Sequence, residues 1–191
     1  IQAQPPQTYT ESDTLLVGIS TVDITPPIGI PQFGYATWAQ SSQGFHTRLK
    51  ARAFYIQAPH QAPLVLIQAD LGAGSLVLRH AVAAAVAHTT PVAFDRLSLL
   101  TTHTHAGPGQ YFSSNFYNTF GSNRPGFDPQ LFEFLTEQMV HAVNAAYANR
   151  RPALFAQGHV DITTVTRNRS LQAFQNNPEA HNPDQHAINP T

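Results

Sequence analysis

The pattern of apolar and polar residues predicts that β-strands and α-helices alternate along most of the chain. Runs rich in β-branched and aromatic residues, bounded by Pro, Gly or Asn, predict strands. Apolar residues that recur every three or four positions predict helices. The predicted strands cover residues 15–20 with 21–25, 51–56, 64–69, 96–102 and 153–165, the last bent at Gly158, and the predicted helices cover residues 74–88 and a longer segment that begins at Asp128 and Pro129.

The order of these elements predicts an α/β fold. Residues 60–63 form a short, Pro-containing connection between two strands, which is typical of a hairpin. The strand, helix and strand that follow are joined by short connections, which is typical of a parallel β-α-β unit. We therefore expect an α/β domain with a mixed sheet, at least one β-α-β unit, flanking helices and long aromatic loops.

Two aromatic segments separate the predicted elements. Residues 26–48 are rich in Gly, Pro and aromatic side chains, and residues 111–127 combine aromatic with polar side chains. Long loops in compact domains are usually functional or disordered, and aromatic content argues against disorder. We expect the first segment to pack across one edge of the sheet and help to wall a site. The second either lines the same pocket or packs on the core.

The two ends of the chain differ in composition from the middle. Residues 1–13 are polar and predict an N-terminal arm, and residues 179–191 show no apolar period. We therefore predict one domain over residues 14–178, followed by a loop that leads into further sequence. The chain begins with Ile1, which fits the mature end left by signal-peptide cleavage and fits a shortened chain equally well. A secreted or periplasmic location is an expectation that rests on this observation alone.

Composition removes several classes of function. Charged residues make up 11% of the 191 residues and the net charge is −1, which gives no electrostatic basis for binding nucleic acid or an anionic membrane. No apolar run approaches the roughly 18 residues that a membrane span requires. The chain has no cysteine, so it offers neither disulfides nor thiolate metal ligands. Any transition-metal site must therefore use His, carboxylate or Tyr.

The strongest chemical motif is the pair His103 and His105, which follows the apolar run 97–100 and precedes a Gly-Pro-Gly segment at residues 107–109. If the strand continues through the pair, both side chains point to one face. Two such imidazoles can share a metal ion, or one can bind the metal while the other acts on substrate. The Gly-Pro-Gly segment would end the strand and leave backbone that a ligand can approach. The alternative is two polar residues at a strand end.

Other polar residues are weaker candidates. Asp70 follows the strand 64–69, where it is in place for a site or caps the next helix. Arg167 and Arg169 could clamp a carboxylate or hold an oxyanion, or they could be a surface charge pair. Asn168-Arg169-Ser170 is also a short, weak match to a glycosylation sequon. The remaining candidates are read as surface residues: His80, His88, His141, His159 and Asp161.

Several of these stretches together resemble the neutral/alkaline non-lysosomal ceramidases. They occur in the family's order from about residue 17 to residue 178, and the histidine block is the most specific of them. The stretches are Val17-Gly18, Asp23-Ile24-Thr25-Pro26, Phe33-Gly34-Tyr35, Gly44-Phe45-His46-Thr47-Arg48 with Arg52-Ala53-Phe54, Asp70-Leu71-Gly72, Thr102-His103-Thr104-His105-Ala106-Gly107-Pro108-Gly109, and Asn168-Arg169-Ser170 with Gln175-Asn176-Asn177-Pro178.

The resemblance implies a zinc-dependent amidase that splits ceramide, an N-acylsphingosine, into sphingosine and a fatty acid. By position, His103 would be a zinc ligand, His105 would lie beside the metal and contact substrate, and Arg169 would bind near the reacting amide. The backbone carbonyl of His46 would help to hold a structural divalent ion, calcium or magnesium. The residue after His105 is commonly Ser in the family and is Ala106 here.

The resemblance also implies a sphingolipid or other N-acyl lipid substrate, and it allows peripheral contact with lipid. The family's remaining zinc ligands, a second His, a Glu and a Tyr, and a catalytically important Ser would follow Thr191. The chain would then be an incomplete catalytic domain that needs the remainder of the same polypeptide and is inactive alone. Two alternatives stay open: a related metallohydrolase acting on another amide or ester, and a non-catalytic binding module.

Overall fold

The computed structural model describes residues 8–160 and 170–178. The chain contains two compact units, Ile1–Leu154 and Phe155–Thr191. The described elements of the first unit are strands β1 (Leu16–Asp23), β2 (Lys50–Gln57), β3 (Leu64–Ala69), β4 (Leu97–Thr101) and β5 (Arg151–Pro152), helices α1 (Leu76–Thr89), α2 (Asn115–Phe120) and α3 (Pro129–Ala148), and short 3-10 helices at Ala36–Trp38 and Phe94–Arg96. In the second unit, the described residues include helix α4 (Leu171–Phe174). The predicted division into arm, domain and terminal loop remains a prediction.

The five strands form one mixed sheet in the order β4-β3-β2-β1-β5. The β2–β3 pair is an antiparallel hairpin, and β1 pairs antiparallel with both β2 and β5. β3 and β4 are parallel and are connected through α1, which makes the predicted β-α-β unit. The predicted fold class and hairpin are confirmed. A parallel pair requires a crossover, and α1 provides it.

The hydrophobic core lies between one face of the sheet and helices α1 and α3. Burial alternates strictly along β2 and β3, as expected for strands with one covered face. Asp128 caps α3, because its Oδ1 accepts hydrogen bonds from the backbone N–H groups of Gln130 and Leu131. The predicted apolar stripe of α3 is buried throughout: Leu131, Leu135, Met139, Ala142 and Ala146.

The predicted long strand at residues 153–165 is wrong over its described part. β5 contains only Arg151–Pro152, and residues 153–160 have no regular secondary structure. β5 pairs with β1 for two residues, and Ala153 then donates one further hydrogen bond to Leu15. Alternation of apolar and polar residues makes a strand only where a partner strand accepts its hydrogen bonds. Residues 161–165 lie outside the described residues.

Membrane insertion through a helix finds no support in the described ranges. None of the helices within residues 8–160 and 170–178 is long and apolar enough to cross a bilayer.

Gly18 provides a test of how closely the sheet and α3 pack. A Cβ atom at Gly18 would lie 2.8 Å from the backbone carbon of Ala146 and closer still to its carbonyl oxygen. We expect Gly18→Ala to lower the free energy of unfolding by about 1–3 kcal/mol, since neither backbone can move freely. Gly44→Ala is the matched control, because nothing lies within 4 Å of its Cβ position. Urea denaturation of both variants measures the difference, and equal stability of the two would contradict the packing.

Candidate metal and substrate site

The candidate site lies at the edge of the sheet where β3 and β4 end. Ala69 and Thr101 are paired at the carboxyl ends of these parallel strands. β2 begins at the same edge, and its Lys50 carbonyl accepts a 2.8 Å hydrogen bond from the backbone N–H of Asp70. The segments that leave β3 and β4 therefore emerge side by side, which is where α/β sheets usually place their ligands.

Asp70 fixes the end of β3 to the start of β2. Its Oδ2 accepts a 2.9 Å hydrogen bond from the Lys50 backbone, and its Oδ1 lies 3.1 Å from Nη1 of Arg52. The prediction that Asp70 caps the next helix is wrong, because α1 is capped by Ser75, whose hydroxyl accepts from the backbone of Leu78. Both oxygens of Asp70 thus have protein partners.

Asp23 is the second carboxylate at this edge. Its Oδ1 accepts a 2.8 Å hydrogen bond from the backbone of Thr25, and its Oδ2 lies 3.0 Å from the ammonium of Lys50. The hydrogen bonds from Thr25 and the charge of Lys50 lower the pKa of Asp23 to about 2. Asp23 is therefore ionised above strongly acidic pH, and it is already engaged by protein groups.

The two histidines lie beyond the strand, not on it. β4 ends at Thr101, and although Thr102 still donates to the carbonyl of Ala69, His103 adopts a left-handed backbone with φ 59°. The prediction that strand alternation places both side chains on one face is therefore wrong. The extended conformation ends at this left-handed residue, and the ring centroids of His103 and His105 lie 5.1 Å apart.

The tautomer of His103 follows from its hydrogen bond. Nδ1 of His103 is hydrogen-bonded to the carbonyl oxygen of Gly72. A carbonyl oxygen can only accept, so Nδ1 carries a proton, and in the neutral ring Nε2 carries the lone pair. Histidines that bind metals are commonly held by such a hydrogen bond from the other ring nitrogen. His103 is therefore oriented to offer Nε2 to a ligand.

Tyr111 and Phe33 hold the segment that carries the Gly72 carbonyl. The buried hydroxyl of Tyr111 donates a 2.7 Å hydrogen bond to the carbonyl of Ala73. Burial raises the pKa of Tyr111 well above its ordinary value, so the hydroxyl stays protonated. A Cβ at Gly72 would lie 2.7 Å from Cε1 of Phe33, which shows how closely the Phe33 ring covers this backbone.

His105 is packed between backbone and aromatic rings. Its ring lies against Gly34, where a Cβ would be 2.6 Å from Nδ1 of His105. The ring centroids of Tyr35 and Phe33 lie 4.8 Å and 6.4 Å from that of His105, both in edge-to-face geometry. Within residues 8–160 and 170–178, no hydrogen bond holds the His105 ring. Its orientation there depends on packing, which leaves its nitrogens available to substrate.

The first aromatic segment walls this site, as expected. Residues 31–34 are joined to the segment after the histidines, because Phe33 donates to Gly107 and Gly109 donates to Pro31. Gly34 donates to Gly121, directly after α2. The expectation that the Gly-Pro-Gly backbone is open to a ligand is wrong at these positions, because this backbone contacts the protein's own chain. A Cβ at Gly109 would lie 2.8 Å from Cβ of Ser122, so this position leaves no room for a side chain.

The second aromatic segment packs in part on the core, which is one of the two alternatives that the sequence left open. Tyr111 and Phe112 are buried and stack on each other at 4.2 Å. Phe116, Tyr117 and Phe120 are more than half exposed. A pattern of aromatic residues does not distinguish the two halves, so the bracing role of Tyr111 could not be predicted. On the first segment, Trp38 is 87% exposed, so both aromatic segments present accessible rings.

Among the described residues, no hydrogen bond or ring contact joins His46 to the histidine pair. His46 is exposed, and no hydrogen bond from a described residue reaches its backbone carbonyl. Arg167 and Arg169 lie outside the described residues. Four histidines that are predicted to lie at the surface fall within the described residues. The prediction is confirmed for them, because His80 is partly exposed and His88, His141 and His159 are exposed.

The histidine pair offers the type of ligand that zinc binds, but it does not offer enough ligands for a complete zinc site. Neutral imidazole with a fixed tautomer is a usual zinc ligand, and a catalytic zinc has about three protein ligands. Within the described ranges, no group of three or more His, Cys, Asp or Glu side chains is placed to hold a metal ion. His103, or His103 with His105, can therefore supply only part of such a site.

The family follows from a match over nearly the whole chain. Residues 15–187 match the family described as neutral/alkaline non-lysosomal ceramidase, N-terminal. The chain belongs to this family, and the fold and the histidine pair lie within the matched region.

Named relatives and solved structures agree with this assignment. Neutral ceramidase 3 of Arabidopsis thaliana is 30% identical over 173 residues, which are 89% of this chain and 23% of that protein. Neutral ceramidase of Mycobacterium tuberculosis is 33% identical over 172 residues, or 87% of this chain and 26% of that protein. The crystal structure of neutral ceramidase from Pseudomonas aeruginosa superposes with a TM-score of 0.81 at 28% identity, covering 94% of this chain and 29% of that one. The chain thus spans about a quarter of the length of the curated relatives it matches.

Gly34 provides a test of the packing around His105. We expect Gly34→Ala to displace the His105 ring, because the new Cβ would overlap it and because φ is +88°. Gly29→Ala is the matched control, since Gly29 has φ +92° but nothing within 4 Å of its Cβ position. The imidazole NMR resonances of His105 report the displacement. Movement of these resonances in both variants, or in neither, would contradict the packing.

Proposed function

We propose that the chain contributes to a zinc-dependent amide hydrolase that cleaves N-acylsphingosine into sphingosine and a fatty acid. Membership of the neutral/alkaline non-lysosomal ceramidase family supports this reaction class. The names of the relatives, all neutral ceramidases, and a solved structure described as ceramidase complexed with C2 support the substrate class. Because the chain spans about a quarter of those relatives, we propose the activity for a polypeptide in which further residues complete the site.

The single observation that carries the proposal is the orientation of the histidine pair. Nδ1 of His103 is hydrogen-bonded to Gly72, so Nε2 is the ring nitrogen that can bind a ligand. The ring centroids of His103 and His105 are 5.1 Å apart. Both residues follow the carboxyl end of β4, which is parallel to β3, and α/β enzymes commonly assemble their sites at such strand ends. The ring nitrogens of His105 have no hydrogen-bond partner among the described residues. A second imidazole in this state, directly beside His103, favours a functional role for the pair over a structural one.

His103 would bind zinc through Nε2. When bound, zinc polarises a carbonyl oxygen and lowers the pKa of water toward about 7. Its remaining ligands would come from residues outside the described ranges. The backbone carbonyl of His46 would hold a separate structural ion, calcium or magnesium, which are cations that prefer oxygen ligands.

His105 would act on the substrate and Arg169 would stabilise charge on it. In the reaction, the bond between the acyl carbon and the amide nitrogen breaks, the acyl carbon gains the oxygen of water, and the amine gains a proton. A histidine whose ring nitrogens are available can carry that proton. The fixed positive charge of Arg169 suits the negative charge that develops on the carbonyl oxygen.

The aromatic segments would receive the apolar part of the substrate. Trp38, Phe116 and Phe120 are exposed on the two aromatic segments. Aromatic rings bury apolar chains at low conformational cost, which suits a sphingolipid or another N-acyl lipid, and peripheral contact with a lipid surface would use the same rings.

Zinc content tests the metal assignment. We expect the full-length polypeptide to retain about one zinc ion per chain after dialysis, and His103→Ala to lose it, because a main ligand is removed. His141→Ala is the control, since His141 is exposed on α3. Metal analysis of the dialysed proteins decides the matter. Equal zinc content in the two variants would refute His103 as a ligand.

Release of fatty acid from N-acylsphingosine tests the reaction. We expect turnover by the full-length polypeptide, a loss of about 10²- to 10⁴-fold in His105→Ala, and little or no turnover by the 191 residues alone. Preference for another amide or an ester would favour the related metallohydrolase, and no hydrolysis of any of them would favour a binding module. Full activity from the 191 residues would show that they contain every essential group.

A further inference from the structure

Tyr35 occupies an unusual backbone conformation directly beside His105. Gly34, Tyr35 and Ala36 have consecutive positive φ angles of 88°, 60° and 50°. Side chains other than glycine rarely adopt this region, so two such residues in succession are kept only where the surroundings impose them. Strained residues of this kind concentrate at functional sites, and Tyr35 therefore needs an explanation.

Hydrogen bonds of the residues before and after Tyr35 in the chain impose this conformation. On one side, Phe33 and Gly34 are hydrogen-bonded to Gly107 and Gly121 at 2.9 and 2.8 Å. On the other side, the carbonyl of Tyr35 accepts a 3.0 Å hydrogen bond from Trp38, which closes a 3-10 turn. The backbone of Tyr35 is thus anchored at both ends, and its ring is placed by that backbone rather than by burial.

The ring of Tyr35 contacts His105 and is otherwise open. The ring centroids are 4.8 Å apart with an interplanar angle of 88°, while 69% of Tyr35 stays exposed. No described residue forms a hydrogen bond with its hydroxyl. The contact is therefore made by the aromatic ring. No described residue forms a hydrogen bond with the His105 ring, so its orientation is restricted by packing against Tyr35 and the backbone of Gly34.

We propose that Tyr35 is a positioning residue for His105: its ring restricts the imidazole to the orientation in which His105 meets the substrate. The kinetic part of this proposal rests on the proposed function, and the geometric part does not. Loss of the ring would let the imidazole rotate away from the reacting atoms. Misplacement of a reacting group by about 1 Å can lower the rate by about 10²-fold.

The test compares three substitutions in the zinc-loaded, full-length polypeptide. Tyr35→Phe keeps the ring, Tyr35→Leu keeps apolar bulk without a ring, and Tyr35→Ala removes both. We expect kcat to fall by about 10- to 100-fold in the Leu and Ala variants, with KM changed less than about threefold, and to stay within about twofold in the Phe variant. Tyr9→Ala is the control, because Tyr9 adjoins Thr10, which binds Gln57 at the opposite end of β2.

A structural measurement separates failure of this proposal from failure of the proposed function. NMR should show contacts between the ring protons of Tyr35 and His105, and the His105 resonances should move in the Leu and Ala variants but not in the Phe or Tyr9 variants. Unchanged His105 resonances in Tyr35→Ala would overturn the proposal whether or not the polypeptide hydrolyses N-acylsphingosine. A rise in KM with unchanged kcat would also overturn it, because Tyr35 would then bind substrate directly.

Discussion

The hydrogen bond from Nδ1 of His103 to the carbonyl of Gly72 joins the two segments that leave β3 and β4. It sets the tautomer of His103 and therefore decides which ring nitrogen is available to a ligand. It depends on the position of the Gly72 backbone, which Phe33 covers and which Tyr111 steadies through Ala73. Packing in the aromatic segments thus determines the chemistry that one imidazole can perform.

The geometry of the site comes from loops with rare backbone conformations rather than from regular elements. Among the described residues, five residues other than glycine have positive φ, and all except His60 lie in the two segments around the histidine pair: Tyr35, Ala36, His103 and Gln110. Such conformations cost energy and persist because neighbouring contacts impose them. Backbone hydrogen bonds from Phe33 to Gly107 and from Gly109 to Pro31 join the segment of Tyr35 to the segment of His103. The backbone conformations within these segments then place each side chain.

The sequence predicts those features of the fold and the site that depend on interactions between residues close together in the chain. The hairpin, the β-α-β unit and the cap of α3 at Asp128 depend on local patterns, and these predictions are confirmed. The placement of His103 depends on a left-handed backbone conformation that no sequence pattern predicts. The prediction that both histidines lie on one face of a strand is therefore wrong, although the two rings are close to each other. The bracing by Tyr111 and the hydrogen bonds of Asp70 join residues far apart in sequence, which periodicity does not detect.

The central claim is that His103 offers Nε2 to zinc while Nδ1 stays bonded to Gly72. Anomalous diffraction at the zinc edge, from crystals of the full-length polypeptide, measures this most directly. The account predicts an anomalous peak within bonding distance of His103 Nε2, with His105 beside it and the Gly72 hydrogen bond intact. A peak on Nδ1, or zinc bound elsewhere with His103 free of it, would contradict the account.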